Sequence, residues 1–316
     1  MKIYPEYILA LQLLDGIGNK TIFKIVENSR HEISSVEDLY NAIKSLKGKK
    51  FQSITMDDIT ESHNTALRII RLSQEHNIGL ISFYDELYPE QFRNTINEEG
   101  KLDPPLLLWY RGNLEITQLP GIAIIGTREV TPEGKSGGEY LSQEFAKRNF
   151  NIISGLAIGC DTCGHIGALK QGGKTTAILA NGLDFASIYP AENRKLAEDI
   201  VNNGGLLLSE YSLGQNVNRY GLVARDRLQA GLALATLVVQ TGIKGGTMHA
   251  ATTTLKANKP LYVMKFKSES VNNHEKCLGN QYLVEQGAKY ISGLSNLDEI
   301  CDDILNQEKP KLNLFD

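Results

Sequence analysis

The chain has 316 residues, of which 41% are hydrophobic and 22% charged, a balance that suits a globular protein large enough for two domains. Its 33 basic and 37 acidic residues leave a formal net charge of −4, which excludes a generally basic nucleic-acid coat, so any polyanion must meet a local patch. No apolar run approaches the ~20 residues of a membrane span, the N-terminal stretch has no signal-peptide core, and the four cysteines are irregularly spaced, so a cytoplasmic protein with no membrane partner is expected.

Residues 1–78 are expected to form a small all-helical domain. Ile8, Leu9, Leu11, Leu13 and Leu14 mark one amphipathic segment, and Ile22, Phe23, Ile25 and Val26 mark the next. Between them, Asp15-Gly16-Ile17-Gly18-Asn19-Lys20 resembles a helix-hairpin-helix turn, whose glycine amides and Lys20 suit a backbone phosphate; a tight αα-hairpin uses the same glycines. Further helices are expected over Val36–Ile43 and Asp57–His76, with Lys44–Lys50 as a solvated basic loop. Strands are expected at Ile78–Phe83 and Leu106–Tyr110.

From residue 121 onward, apolar strands at Gly121–Ile125, Asn151–Ser154, Thr176–Ala180, Gly205–Ser209, Thr236–Gln240 and Pro260–Lys265 alternate with helical segments at Lys135–Arg148, Thr162–Gln171, Asn193–Asn202, Leu222–Ala233 and Met248–Asn258. This alternation predicts an α/β domain over 79–305, an extended Rossmann-like, doubly wound, mainly parallel sheet, with a tail over 306–316. Ligands of such sheets bind beyond the carboxyl ends of the strands. There lie Gly126-Thr127-Arg128, Ser154-Gly155, Asn181-Gly182 and Lys244-Gly245-Gly246-Thr247. Glycine-rich turns expose amides to an anion, and Arg128 and Lys244 add charge. Arg219, Tyr220, Arg225 and Arg227 crowd one helix entry, where arginines could meet phosphates and Tyr220 could stack a base.

Other chemistries fit less well. The first turn lacks the G-x-G-x-x-G of dinucleotide sites, and no Walker A order occurs, so no cofactor is expected. Asp161 and His165 lie four apart, as in an acid-oriented histidine, but with no clearly positioned nucleophile a structural pairing is preferred. Cys160 and Cys163 have CxxC spacing without a second pair, so no metal is expected.

Taken together, Ala123-Ile124-Ile125-Gly126-Thr127-Arg128, Ser154-Gly155-Leu156-Ala157 with Gly159, Asp161 and His165, Leu179–Asp184, Tyr189–Asn193, Leu206–Tyr211, Arg225-Asp226-Arg227 with Ala230-Gly231-Leu232, and Gly279-Asn280 with Gly287-Ala288 resemble, in order, the DNA-processing protein A (DprA/Smf) family over about 121–292. The resemblance implies a homodimeric, non-enzymatic binder of single-stranded DNA that loads RecA recombinase in natural transformation. It also implies a DNA pocket using Arg128, Arg225 and Arg227. Three features depart from the family: Asp226 stands where Arg-Asn-Arg is usual, Gly245-Gly246-Thr247-Met248-His249 replaces a Ser-Gly-Ser/Thr turn, and the winged-helix domain that often follows the core is not expected here. The core also resembles the lysine-decarboxylase-like nucleotide phosphoribohydrolases, so a nucleotide sensor or hydrolase is the alternative, although their catalytic carboxylate after the glycine turn is replaced here by Met-His-Ala-Ala. The tail Pro310–Asp316 resembles a sliding-clamp docking peptide, which would make the clamp a partner.

Overall fold

The structure is a computed structural model that describes residues 2–29 and 31–306, apart from the Arg219 side chain. The clamp-like tail therefore lies outside the described residues. The chain divides into two compact units, one running through Tyr88 and including Leu106–Tyr110, the other comprising Pro89–Pro105 and the chain from Arg111 onward.

The first unit carries helices α1 (Pro5–Leu13), α2 (Asn19–Asn28), α3 (Val36–Lys44), α4 (Lys49–Ser53) and α5 (Met56–Glu75). Ile8, Leu9, Leu11, Ile22, Ile25 and Val26 are buried, whereas Leu13, at the end of α1, faces outward. A capping box starts α5: the Asp58 amide donates to the Thr55 hydroxyl at 3.1 Å and the Thr55 amide to the Asp58 carboxylate at 2.8 Å. The lysine-rich stretch is not all loop. Lys49 opens α4, and the Lys50 ammonium donates to the carbonyl of Gly16 in the two-glycine turn. Strand β1 (Gly79–Ser82) groups with these helices because it pairs antiparallel with Leu107–Tyr110 of β2 (Leu107–Gly112).

The second unit is a doubly wound α/β fold. In chain order it runs β3 (Gly121–Ile125), α6 (Pro132–Lys147), β4 (Asn151–Ser154), α7 (Cys160–Lys170), β5 (Thr175–Leu179), α8 (Arg194–Asn202), β6 (Leu206–Ser209), α9 (Arg219–Leu232), β7 (Ala235–Val238), α10 (Gly246–Lys256), β8 (Leu261–Met264), α11 (Glu269–Asn272), α12 (Leu278–Glu285), β9 (Lys289–Ile291) and α13 (Leu297–Leu305). Within this unit the strands lie in the order β6-β5-β4-β3-β7-β8-β9, every pairing parallel. All five residues of β3 are buried, as a central parallel strand requires. Helix α6 begins earlier than its apolar pattern suggests because the Thr131 side chain caps the Gly134 amide at 3.1 Å and Pro132 occupies the first turn. The end of the unit, α12, β9 and α13, escapes the strand pattern: β9 is three residues long and buries only Ile291 fully. Among the described residues no helix is long and apolar enough to cross a membrane.

Candidate nucleic-acid interface

The strand order reverses between β3 and β7, and the turns that leave these two neighbours open a crevice at the carboxyl edge of the sheet. After β3 the chain bends at Gly126, where a Cβ would stand 2.5 Å from the Cys160 sulfur and 2.7 Å from the Gln240 carbonyl. The Thr127 amide donates to that carbonyl at 2.7 Å, and the Thr127 carbonyl accepts from the Cys160 amide at 3.1 Å. These bonds pin the turn and leave Arg128 exposed, with no ion pair among the described residues.

After β7, Asn280 of α12 fastens the chain. Its side-chain oxygen accepts from the Thr241 amide at 3.0 Å, and its amide nitrogen donates to the Val239 and Met264 carbonyls at 2.9 and 3.2 Å. The loop then exposes Lys244 and reaches Gly245, whose φ of +137° favours glycine. Helix α10 starts at Gly246 without a side-chain cap, so the first-turn amides of Gly246 and Thr247 have no intrahelical acceptor. The crevice is a cavity of about 670 Å³ lined by Gly126, Thr127, Arg128, Arg225, Lys244, Gly245, Gly246 and Thr247, together with Asp226, Gln229, His249 and Lys276.

Its floor is a buried polar cluster. Arg225 is 6% exposed and donates to the Ile178 carbonyl at 2.8 Å. Its guanidinium lies against Gly155, where a Cβ would come within 1.5 Å of Nη1. Gly155 is therefore a packing requirement rather than a lining residue of the cavity. Asp161 accepts from the Gly155 and Ala157 amides at 3.0 and 3.3 Å; burial raises its pKa, opposed by Arg225 and by those amides. His165 does not meet Asp161. Its Nδ1 is 2.7 Å from the Thr175 hydroxyl, and burial with Arg225 nearby pushes its pKa down to about 3, so the ring is neutral and interior.

Asp226 sits 3.3 Å from Arg225 Nε and accepts from Gln229 Nε2 at 3.1 Å. Burial pushes its carboxyl up to about 6, with Asp161 and Glu98 adding to the rise and Arg225 and His249 opposing it. Because the folded pKa lies above the ordinary carboxylate value, folding favours the protonated acid, and stability is lost as pH rises from about 4 through about 6. Asp226→Asn is expected to raise stability at pH 7–8 by about 2 kcal/mol and to flatten the pH dependence between about pH 4 and about pH 6. Thermal denaturation from pH 4 to pH 8 checks both; an unchanged slope would mean that Asp226 ionises as freely in the folded protein as in the unfolded chain.

Several sequence candidates lie away from this cavity, their polar groups used inside the fold. The Ser154 hydroxyl donates to the Ile124 carbonyl at 2.6 Å. Asn181 donates to the carbonyls of Gly182 and Ser187 at 2.8 and 2.9 Å, while the Gly182 amide donates to Gln215. Arg227 is buried, forked onto Glu210 at 2.7 and 2.8 Å and paired with Asp103 at 2.7 Å. Those anions raise its pKa against the opposing effect of burial, so it is a charged interior group and does not line the crevice. Tyr220 is 87% exposed and borders a neighbouring cavity of about 570 Å³ that also contains Arg227, Glu98, Asp103 and His249, so these two candidates share a cavity whose other charged groups are mainly acidic. The Arg219 side chain lies outside the description. Gln229 and Lys276 are additions. Gln229 follows Arg225 by one helical turn, a usable signal, whereas Lys276, paired with Glu129 at 2.7 Å, has no local sequence cue.

A family model described as DNA recombination-mediator protein A matches residues 79–304. The chain belongs to that family. Among family relatives, DNA processing protein DprA of Streptococcus pneumoniae is 28% identical over 297 residues, covering 92% of this chain and 96% of that protein. Protein Smf of a Synechocystis strain is 38% identical over 192 residues, covering 60% of this chain and 46% of that protein. The X-ray structure of the Streptococcus pneumoniae protein superposes with a TM-score of 0.72 at 26% identity, covering 95% of this chain and 99% of the solved one. DNA processing protein A of Helicobacter pylori, described by its unique single-stranded DNA binding mode, superposes with a TM-score of 0.59 at 30% identity over 72% of this chain and 95% of its own.

Proposed function

We propose that this chain is a non-enzymatic, cytoplasmic recombination mediator that binds single-stranded DNA in the β3–β7 crevice. One observation carries this reading: Arg128 and Lys244, exposed and without ion pairs among the described residues, occupy adjoining turns of a cavity whose next wall is the uncapped start of α10. Guanidinium, ammonium and helix-terminal amides together suit consecutive phosphates. The inward-facing Asp161, Asp226 and His165 are bonded to protein groups, which favours holding a strand over cleaving a nucleotide. We further propose that a homodimer delivers that strand to RecA, in natural transformation or related DNA metabolism; the family's description as a recombination mediator supports the recombination role.

Calorimetry with oligo-dT and with a panel of mononucleotides tests the reading. Oligo-dT should bind, and log K should fall linearly with log salt by about 0.7 for each phosphate neutralised. Tight mononucleotide binding with no oligonucleotide binding, or release of free base, would instead establish the sensor or phosphoribohydrolase alternative.

A further inference from the structure

We infer that Lys276 is a third cationic ligand of the bound strand, held in the free protein by Glu129, whose carboxylate stands where a phosphate would. This inference rests on the single-stranded DNA reading above and assigns one further pair of residues to the same cavity.

Three carboxylates line the cavity: Glu129, Asp161 and Asp226. Asp161 is buried and accepts from the Gly155 and Ala157 amides, and Asp226 is largely buried between Arg225 and Gln229. Glu129 differs. Its side chain is 77% exposed, it follows Arg128 directly in the turn after β3, and it meets the Lys276 ammonium at 2.7 Å. Lys276 stands in the loop before α12, with the Glu275 carboxylate 3.6 Å from its ammonium as a weaker second partner. An exposed acid at the rim of an anion site opposes the ligand unless it has a task.

That task is not to hold the two loops, because Gln240, fully buried just beyond β7, already does so. Its Oε1 accepts from the Thr131 amide at 3.0 Å, and its Nε2 donates to the Thr131 hydroxyl at 3.0 Å and to the Cys277 sulfur at 3.1 Å. The Glu129 amide is anchored on the Thr127 hydroxyl and the Lys276 amide on His274 Nδ1, each at 3.2 Å. The backbone is thus fixed on both sides of the pair, and an exposed ion pair adds little to what those bonds hold. The two side chains are what can move.

Their movement exchanges like for like. A carboxylate and a phosphate diester both offer anionic oxygens to an ammonium. The hydrogen bond to Glu129 holds the Lys276 pKa up and the same bond holds that of Glu129 down, so both groups are charged in the free protein at neutral pH. A strand lying across Arg128 and Lys244 brings phosphates into the cavity that Lys276 also lines, where they compete with Glu129 for the ammonium. The displaced carboxylate is already mostly in water, so its release costs little desolvation. Breaking the pair subtracts from affinity and speeds dissociation, which suits a protein that must pass its strand on.

The test uses the full chain and oligo-dT. In fluorescence anisotropy at moderate salt, Glu129→Gln should bind about two- to fivefold more tightly, the range that an exposed ion pair spans, and should keep the parental melting temperature. Lys276→Met, which keeps the apolar stem, should bind about fivefold more weakly, with the slope of log K against log salt shallower by about 0.7. Contact in the parental protein is read by replacing one thymidine with an abasic site, whose aldehyde condenses with a lysine amine within reach, losing water, and is fixed by borohydride. Peptide mapping should find Lys276 modified as well as Lys244, with a larger share at Lys276 in Glu129→Gln. Trapping at Lys244 without Lys276, or a Glu129→Gln variant that binds no more tightly than the parent, overturns the exchange and leaves the DNA reading standing. Failure of the parental protein to bind oligo-dT overturns both.

Discussion

The double variant Arg128→Ala/Lys244→Ala is expected to lose about 2–4 kcal/mol of affinity for single-stranded DNA, some thirty- to thousandfold, equally for every sequence. Each side chain contributes a charge-assisted phosphate contact of about 1–2 kcal/mol, toward the lower end because both groups are exposed to solvent. Both line one cavity and would hold the same strand, so the double variant is measured directly rather than summed from the single ones. Loss of two phosphate contacts should also make the salt dependence shallower, by about 1.4 in the slope of log K against log salt. Stability should be unchanged, since neither side chain is in an ion pair among the described residues. A salt titration followed by anisotropy measures both quantities, and parental affinity at moderate salt would exclude the crevice as the polyanion site.

Glu210→Ala is expected to destabilise the protein by about 3–5 kcal/mol, because it strips a buried guanidinium of its bidentate partner. Arg227 is 7% exposed and reaches Glu210 through both terminal nitrogens; without that carboxylate, Asp103 is its remaining anionic partner among the described residues. The melting temperature should drop by about 10 °C for a unit of this size. Below the transition, oligonucleotide affinity should stay within a factor of about two, because Arg227 does not line the crevice. A large loss of affinity without a loss of stability would return Arg227 to the DNA path. Scanning calorimetry and anisotropy on the same preparation distinguish the outcomes.

Much of the architecture is legible in the chain itself. The apolar run Gly121–Ile125, broken by Gly126-Thr127-Arg128, reads as a buried strand ending in a turn at the carboxyl edge, and the structure has all five residues of β3 buried. The regular exchange of apolar runs and helical segments determined the winding of the sheet, since parallel neighbours need crossovers between them. Composition had already excluded a uniformly basic surface, so a confined anion site was the one kind open to it.

Which polar residues face that site was decided only by packing. Ser154 and Asn181 end strands as site residues do, yet they bond to neighbouring backbone carbonyls. Arg225, Asp226 and Arg227 are adjacent in sequence, but a helix turns each by about 100° from the last. One arginine therefore lies over Gly155 on the crevice floor and the other points to Glu210 and Asp103, partners 17 and 124 positions away. The function of a charge depends on what shares its burial, and those neighbours come from distant segments that no local pattern connects.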